Sequence, residues 1–178
     1  AYLRAMKAEY GNRRIGRQEL DGELIEDAEG ALWTRARLED CRMRIVPPLV
    51  RVVIGVDPPA SRDGDACGIV VAGLCASGKA WVLADASVSG RSPDGWAQAV
   101  SDAATQWQVD RVIAEKNNGG DMVESVLRAA DVSLPIRLVH ASRGKVARAE
   151  PVAALYEKGR VHHAGAFPAL EDEMCGLI

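Results

Sequence analysis

The chain has 178 residues, 48% of them hydrophobic, which suits one ordinary domain with a real core plus an appendage. Phe167 is its only phenylalanine and aromatics make up 4%, so the core has to come from Val, Leu, Ile and Ala, as in a sheet covered by helices. A net charge of -3 excludes a protein coated in positive charge, so any nucleic-acid contact needs a local basic strip.

In chain order, the first 45 residues are charge-dense and lack strand alternation. They read as a helix and an extended connector, with Leu32 and Trp33 as the strong anchors. Pro47 and Pro48 mark the boundary of a domain over 46–178. Arg51 to Val56 is a β-branched run, expected to be a central strand buried on both faces. "CGIVVAGL" (67–74) and "KAWVLADASV" (79–88) follow as strands, and the three form an antiparallel meander. Ser92, Pro93 and Asp94 start a helix as cap, first residue and dipole partner. "VDRVIAE" (109–115) is a strand, "DMVESVLRAA" (121–130) a helix and "LPIRLVHA" (134–141) a strand. A helix over "KVARAEPVAALYEKG", a short strand "RVHH" and a helix opened by Pro168 complete the chain.

No apolar stretch approaches the ~20 residues that cross a bilayer, and the N-terminal stretch has no signal-peptide apolar segment, so no membrane partner is expected. Cys41, Cys67, Cys75 and Cys175 lack zinc-ligand spacing, which predicts a reduced, intracellular protein. His162 and His163, adjacent on a strand, face opposite sides and do not suit one zinc ion. The chain starts without methionine and ends on "EDEMCGLI" in a helical pattern, as expected of a piece of a longer chain.

Three antiparallel strands, then helix, strand, helix, strand, helix, is the order of the ribonuclease H-like α/β fold. In that fold the first and fourth strands lie parallel and adjacent, so Asp57 and Glu115, which end them, meet at one sheet edge. Neighbouring carboxylates repel unless a cation sits between them, and Mg²⁺ or Mn²⁺, as a pair of ions, is the simplest resolution. Alone, Asp57 before Pro58 also suits a turn; Glu115 after "RVIA" has no such account. Asp65, before the second strand, is a candidate third ligand or an ordinary loop acid.

"VIGVDPPASRDGDACGIVVAG", "VDRVIAEKNNGGDMVESVLR" and "VHASRGKVARAEPVAALYEKGRVHH" together resemble the C-terminal nuclease domain of phage-type and gene-transfer-agent-type large terminase subunits. The segment before residue 45 is similar to the piece joining the packaging ATPase to that nuclease. The resemblance implies a metal-dependent endonuclease that cuts concatemeric double-stranded DNA at the start and end of genome packaging. Asp57 and Glu115 would be its metal ligands and Asp65 an auxiliary acid. It implies a packaging ATPase domain in the same full-length chain, portal and small terminase subunit as partners, and residence in the host bacterium's cytoplasm, transiently on the procapsid. The family's further aspartate, on a helix after the last block, is expected beyond Ile178; Glu171, Asp172 and Glu173 read instead as a solvated helix face. There is no GxxxxGK[ST], so ATP hydrolysis by this chain is not expected.

Arg137, Arg143, Lys145, Arg148, Lys158 and Arg160 are the densest basic stretch. Arg143, Lys145 and Arg148 are the candidates for a phosphate backbone, joined by Lys116 and Asn117 directly after Glu115. Singly, each also suits a solvated helix face or a plain turn; His140 reads as a polar strand end. Two other readings stand beside the terminase one: a Holliday-junction resolvase-like nuclease, whose first strand ends in a similar "GVDP", and a catalytically silent module that clamps DNA or docks on the portal.

Overall fold

The computed structural model describes residues 30–59, 66–116 and 120–178. Its strands are β1 (Leu49–Asp57), β2 (Gly68–Cys75), β3 (Ala80–Asp85), β4 (Arg111–Glu115), β5 (Ile136–Val139) and β6 (Val161–His163). Its helices are α1 (Arg35–Asp40), α2 (Pro93–Trp107), α3 (Asp121–Ala130), α4 (Lys145–Glu157) and α5 (Pro168–Cys175). The strands form one sheet in the order β5-β4-β1-β2-β3-β6; β1, β2 and β3 are antiparallel, while β4 joins β1, β5 joins β4 and β6 joins β3 in parallel. This is the mixed ribonuclease H-like sheet that the element order predicts.

Local chemistry starts and stops the elements where expected. Ser92 Oγ accepts from the Gly95 N–H, with Pro93 in the first helical turn, and Gln108 closes α2 in the left-handed region at φ 47°.

One face of the sheet is covered by α2 and α3. Ile54 and Val56 of β1, Ile69 and Val71 of β2 and Val112 and Ala114 of β4 meet Trp96, Val100, Val123 and Leu127 there. Among the described residues, the opposite face is covered only at the β2-β3-β6 side, where Val82 and Val161 pack against Ala153 and Tyr156 of α4 and Cys175 of α5. Trp33, Leu38 and Cys41 complete that second core, so residues 30–45, read as connector, supply buried side chains to the domain. The same segment caps the β6 edge: Met43 N–H donates to the His163 carbonyl and His163 N–H to that of Cys41.

Two expectations are corrected. β1 is interior to the sheet but not buried on both faces: Ile54 and Val56 are buried while Gly55 and Asp57 are exposed, because no described helix covers the second face over β1, β4 and β5. The acids of α5 are not a uniformly solvated face. Glu171 is buried, accepting from Arg42 Nη1 at 3.0 Å and from His163 Nδ1 at 3.0 Å, and Asp172 pairs with Arg35. His163 Nε2 in turn takes the Tyr156 hydroxyl at 2.8 Å. His162 and His163 do part to different surroundings, His162 stacking on Trp81 at 4.9 Å between ring centroids. All four cysteines are buried and none forms a disulfide, and no described helix is long and apolar enough to cross a membrane.

Candidate active site

Pairing of β1 with β4 sets Val56 beside Ala114, and the next position on each strand is Asp57 and Glu115. Val56 and Ala114 point into the core, so strand alternation turns both carboxylates to the other, uncovered face. Earlier rows on that face carry Gly55, Ile113 and Arg137, then Val53 and Arg111. The carboxylates therefore stand at the end of an open strip of sheet with two exposed arginines along it.

Helix α4 brings cations to the same corner. Arg148 Nη1 donates to Glu115 Oε2 at 2.8 Å, and Lys145, one turn earlier, stands within electrostatic reach of Asp57. Partial desolvation pushes the Asp57 carboxyl above the ordinary aspartate range; the Glu115 charge adds to this, and Lys145 and Arg148 oppose it without cancelling it. Beneath the site, Cys67 is buried with its thiol pushed up to about 12, mainly by that burial and further by the Asp57 charge, which keeps it protonated and unreactive.

Two adjacent carboxylates, with Asp57 held against ionisation by partial burial first and by its neighbour second, offer the hard oxygen donors that suit Mg²⁺ or Mn²⁺ rather than a soft transition metal. Among the described residues no group of three or more His, Cys, Asp and Glu side chains comes together, so this pair is the donor set they provide.

The structure thus brings together Asp57, Glu115, Lys145 and Arg148. Lys116 follows Glu115 directly, half-buried, its N–H bonded to the Val139 carbonyl. Arg143 is exposed just ahead of α4, and His140 is exposed at the end of β5. Asp65 and Asn117 lie outside the described residues. The sequence suggests Arg148 as a DNA contact or a solvated helix residue, and its bond to Glu115 escapes that reading. The available signal was two bases and no acid in the first turn of α4, against the helix dipole.

With this geometry in hand, the family described as "Terminase RNaseH-like domain" matches residues 54–177. No curated protein matches. Among solved structures, the large terminase of bacteriophage HK97 is similar at a TM-score of 0.56 and 17% identity, covering 75% of this chain and 34% of that one. The large terminase of a thermophilic bacteriophage gives 0.61 and 10% identity, with 81% and 36% covered. The large terminase nuclease of a second thermophilic phage, G20c, gives 0.58 and 14%, with 81% and 79% covered. The chain spans about a third of the length of the first two of these proteins.

Proposed function

This chain belongs to the terminase RNase H-like domain family, and from that premise we propose that it is the nuclease portion of a large terminase subunit, a metal-dependent endonuclease for double-stranded DNA. The observation that carries the reading is the placement of Asp57 and Glu115 side by side on the open face of the sheet. Its biological task is to cut concatemeric DNA at the start and end of packaging. A packaging ATPase domain in the full-length chain, portal and small terminase subunit are its partners, in the host cytoplasm and transiently on the procapsid.

Asp57 and Glu115 are the side chains that hold the divalent cations, with Asp65 as an auxiliary ligand. Such cations, acting as a pair, supply Lewis-acid activation of a phosphodiester and of the attacking water. The protein's own contribution is orientation and charge. Lys145 stands within electrostatic reach of Asp57, Arg143 is exposed just ahead of α4, Arg111 and Arg137 line the open strip, and Lys116 and Asn117 follow Glu115 in sequence. These positions suit a sugar-phosphate backbone laid over β1, β4 and β5, which is recognised by charge and not by base sequence.

Cleavage of linear duplex, supercoiled plasmid and a four-way junction in Mn²⁺, with an EDTA control, tests the reading. Plasmid and linear duplex are expected to be cut as readily as the junction. Cutting confined to the junction would move the chain to the resolvase class. DNA binding without cleavage, also in the longest natural chain that carries this domain, would make it a clamp.

A further inference from the structure

We propose that Arg148 is an internal counter-ion that occupies Glu115 until a DNA phosphate draws it away, so that DNA and the divalent cation bind this site cooperatively. The inference rests on the reading of Asp57 and Glu115 as a divalent-cation centre.

The local sequence opposes a purely structural role for Arg148. It lies in the opening turns of α4 on the same side as Lys145, and the first turn contains no acid. Cations there work against the helix dipole, and Pro151 further interrupts the helix, so this stretch is poorly chosen for helix stability alone. The ion pair does not compensate. The Arg148 side chain is 39% exposed and that of Glu115 17%, and a bond of this kind at a surface contributes little to folding.

The chemistry explains the choice. A guanidinium stays charged throughout the working pH range, so it cannot release Glu115 by losing a proton. It leaves only for a competing anion, and phosphate takes the same planar fork in two-pronged geometry. Glu115 Oε2, which accepts from Arg148, is one of the two oxygens Glu115 has to offer a cation. Arg148 and the cation therefore compete while DNA is absent, and a backbone that captures Arg148 frees the carboxylate. By linkage the cation must strengthen DNA binding by the same factor.

The test is Mn²⁺ binding, read from the free-ion electron paramagnetic resonance signal, with and without a short duplex and corrected for Mn²⁺ held by DNA alone. In the unaltered chain the duplex is expected to tighten Mn²⁺ by about five- to tenfold. Arg148→Gln is expected to tighten Mn²⁺ by a similar factor without DNA and to remove most of the coupling, whereas Arg148→Lys, which keeps the charge, retains it; circular dichroism checks the fold of each. Mn²⁺ affinity that Arg148→Gln leaves unchanged or weakens, or coupling that survives it in full, overturns the inference. If Asp57→Asn still weakens Mn²⁺ in that case, the metal-centre reading survives. If Asp57→Asn has no effect, both fall.

Discussion

His163 Nδ1 lies 3.0 Å from Glu171 Oε1, joining the edge strand β6 to the last helix α5 in the second core, apart from the carboxylates of β1 and β4. Glu171 is the hub of a buried network. It also accepts from both Nη atoms of Arg42 and from the Phe167 N–H, while Tyr156 bonds the other ring nitrogen of His163. Burial pushes its carboxyl up, but the bonds from His163, Arg42 and Phe167 outweigh this and bring it from 4.5 to about 2. A carboxylate lowered by folding stabilises the native state above its unfolded pKa, and this contribution disappears as pH falls through the folded value. Glu171→Gln leaves Arg42 with the exposed Glu39 as its charged partner and is expected to cost about 1.5–3 kcal/mol at neutral pH. The melting-temperature gap between the two proteins should be widest near pH 7 and narrow as pH falls from about 4.5 towards 2. A gap that is constant over that range would detach Glu171's charge from stability.

The network also ties residues 33–42 into the folded unit. Trp33 packs edge-on against Tyr156 at 5.8 Å, Leu38 is fully buried, and Arg42 reaches Glu171. Removing residues 1–45 strips all three from the second core. Trp33→Ala alone is expected to cost about 3–5 kcal/mol. A protein starting at residue 46 should lose the cooperative unfolding transition of the full 178-residue chain. Equal melting of the two would return residues 30–45 to the status of a connector.

Asp57 has the opposite pH sign to Glu171. Its carboxyl is raised in the folded protein, by desolvation first and by Glu115 second, so ionising it opposes folding in the absence of a cation. Stability is therefore full below the unfolded pKa and is lost as pH rises through the folded one. In EDTA at pH 7, Asp57→Asn is expected to raise the melting temperature by roughly 2 °C, the size of a modest relief of repulsion at an exposed site. The gain should vanish in acid, where Asp57 is protonated anyway. Thermal unfolding in EDTA across pH checks this, and a variant less stable than the parent at pH 7 would contradict it.

Much of this was legible in the sequence, and for identifiable reasons. Continuous β-branched runs and a sharp helix start at Ser92 give the strand and helix order. That order alone places the ends of β1 and β4 together, so Asp57 and Glu115 stand out as carboxylates at the ends of adjacent strands. What escaped depends on contacts between distant segments. Glu171 and Asp172 look like surface acids until Arg42, His163 and Arg35 are brought to them by the pairing of residues 41–43 with β6. The open face of β1 escaped for the same reason. Its residues are as apolar as those of a strand covered twice, and only the position of α4 over β2, β3 and β6 leaves Gly55 and Asp57 uncovered.

We propose that Asp57 serves as a catalytic metal ligand and not as a turn residue before Pro58. Nicking of supercoiled plasmid in Mn²⁺ by the unaltered protein and by Asp57→Asn, each at matched DNA occupancy, tests it most directly. The substitution is expected to lower the cleavage rate by at least about 100-fold, or about 2.7 kcal/mol of barrier, while DNA affinity in EDTA is retained. Cleavage that persists at the parent rate in the folded variant would contradict it.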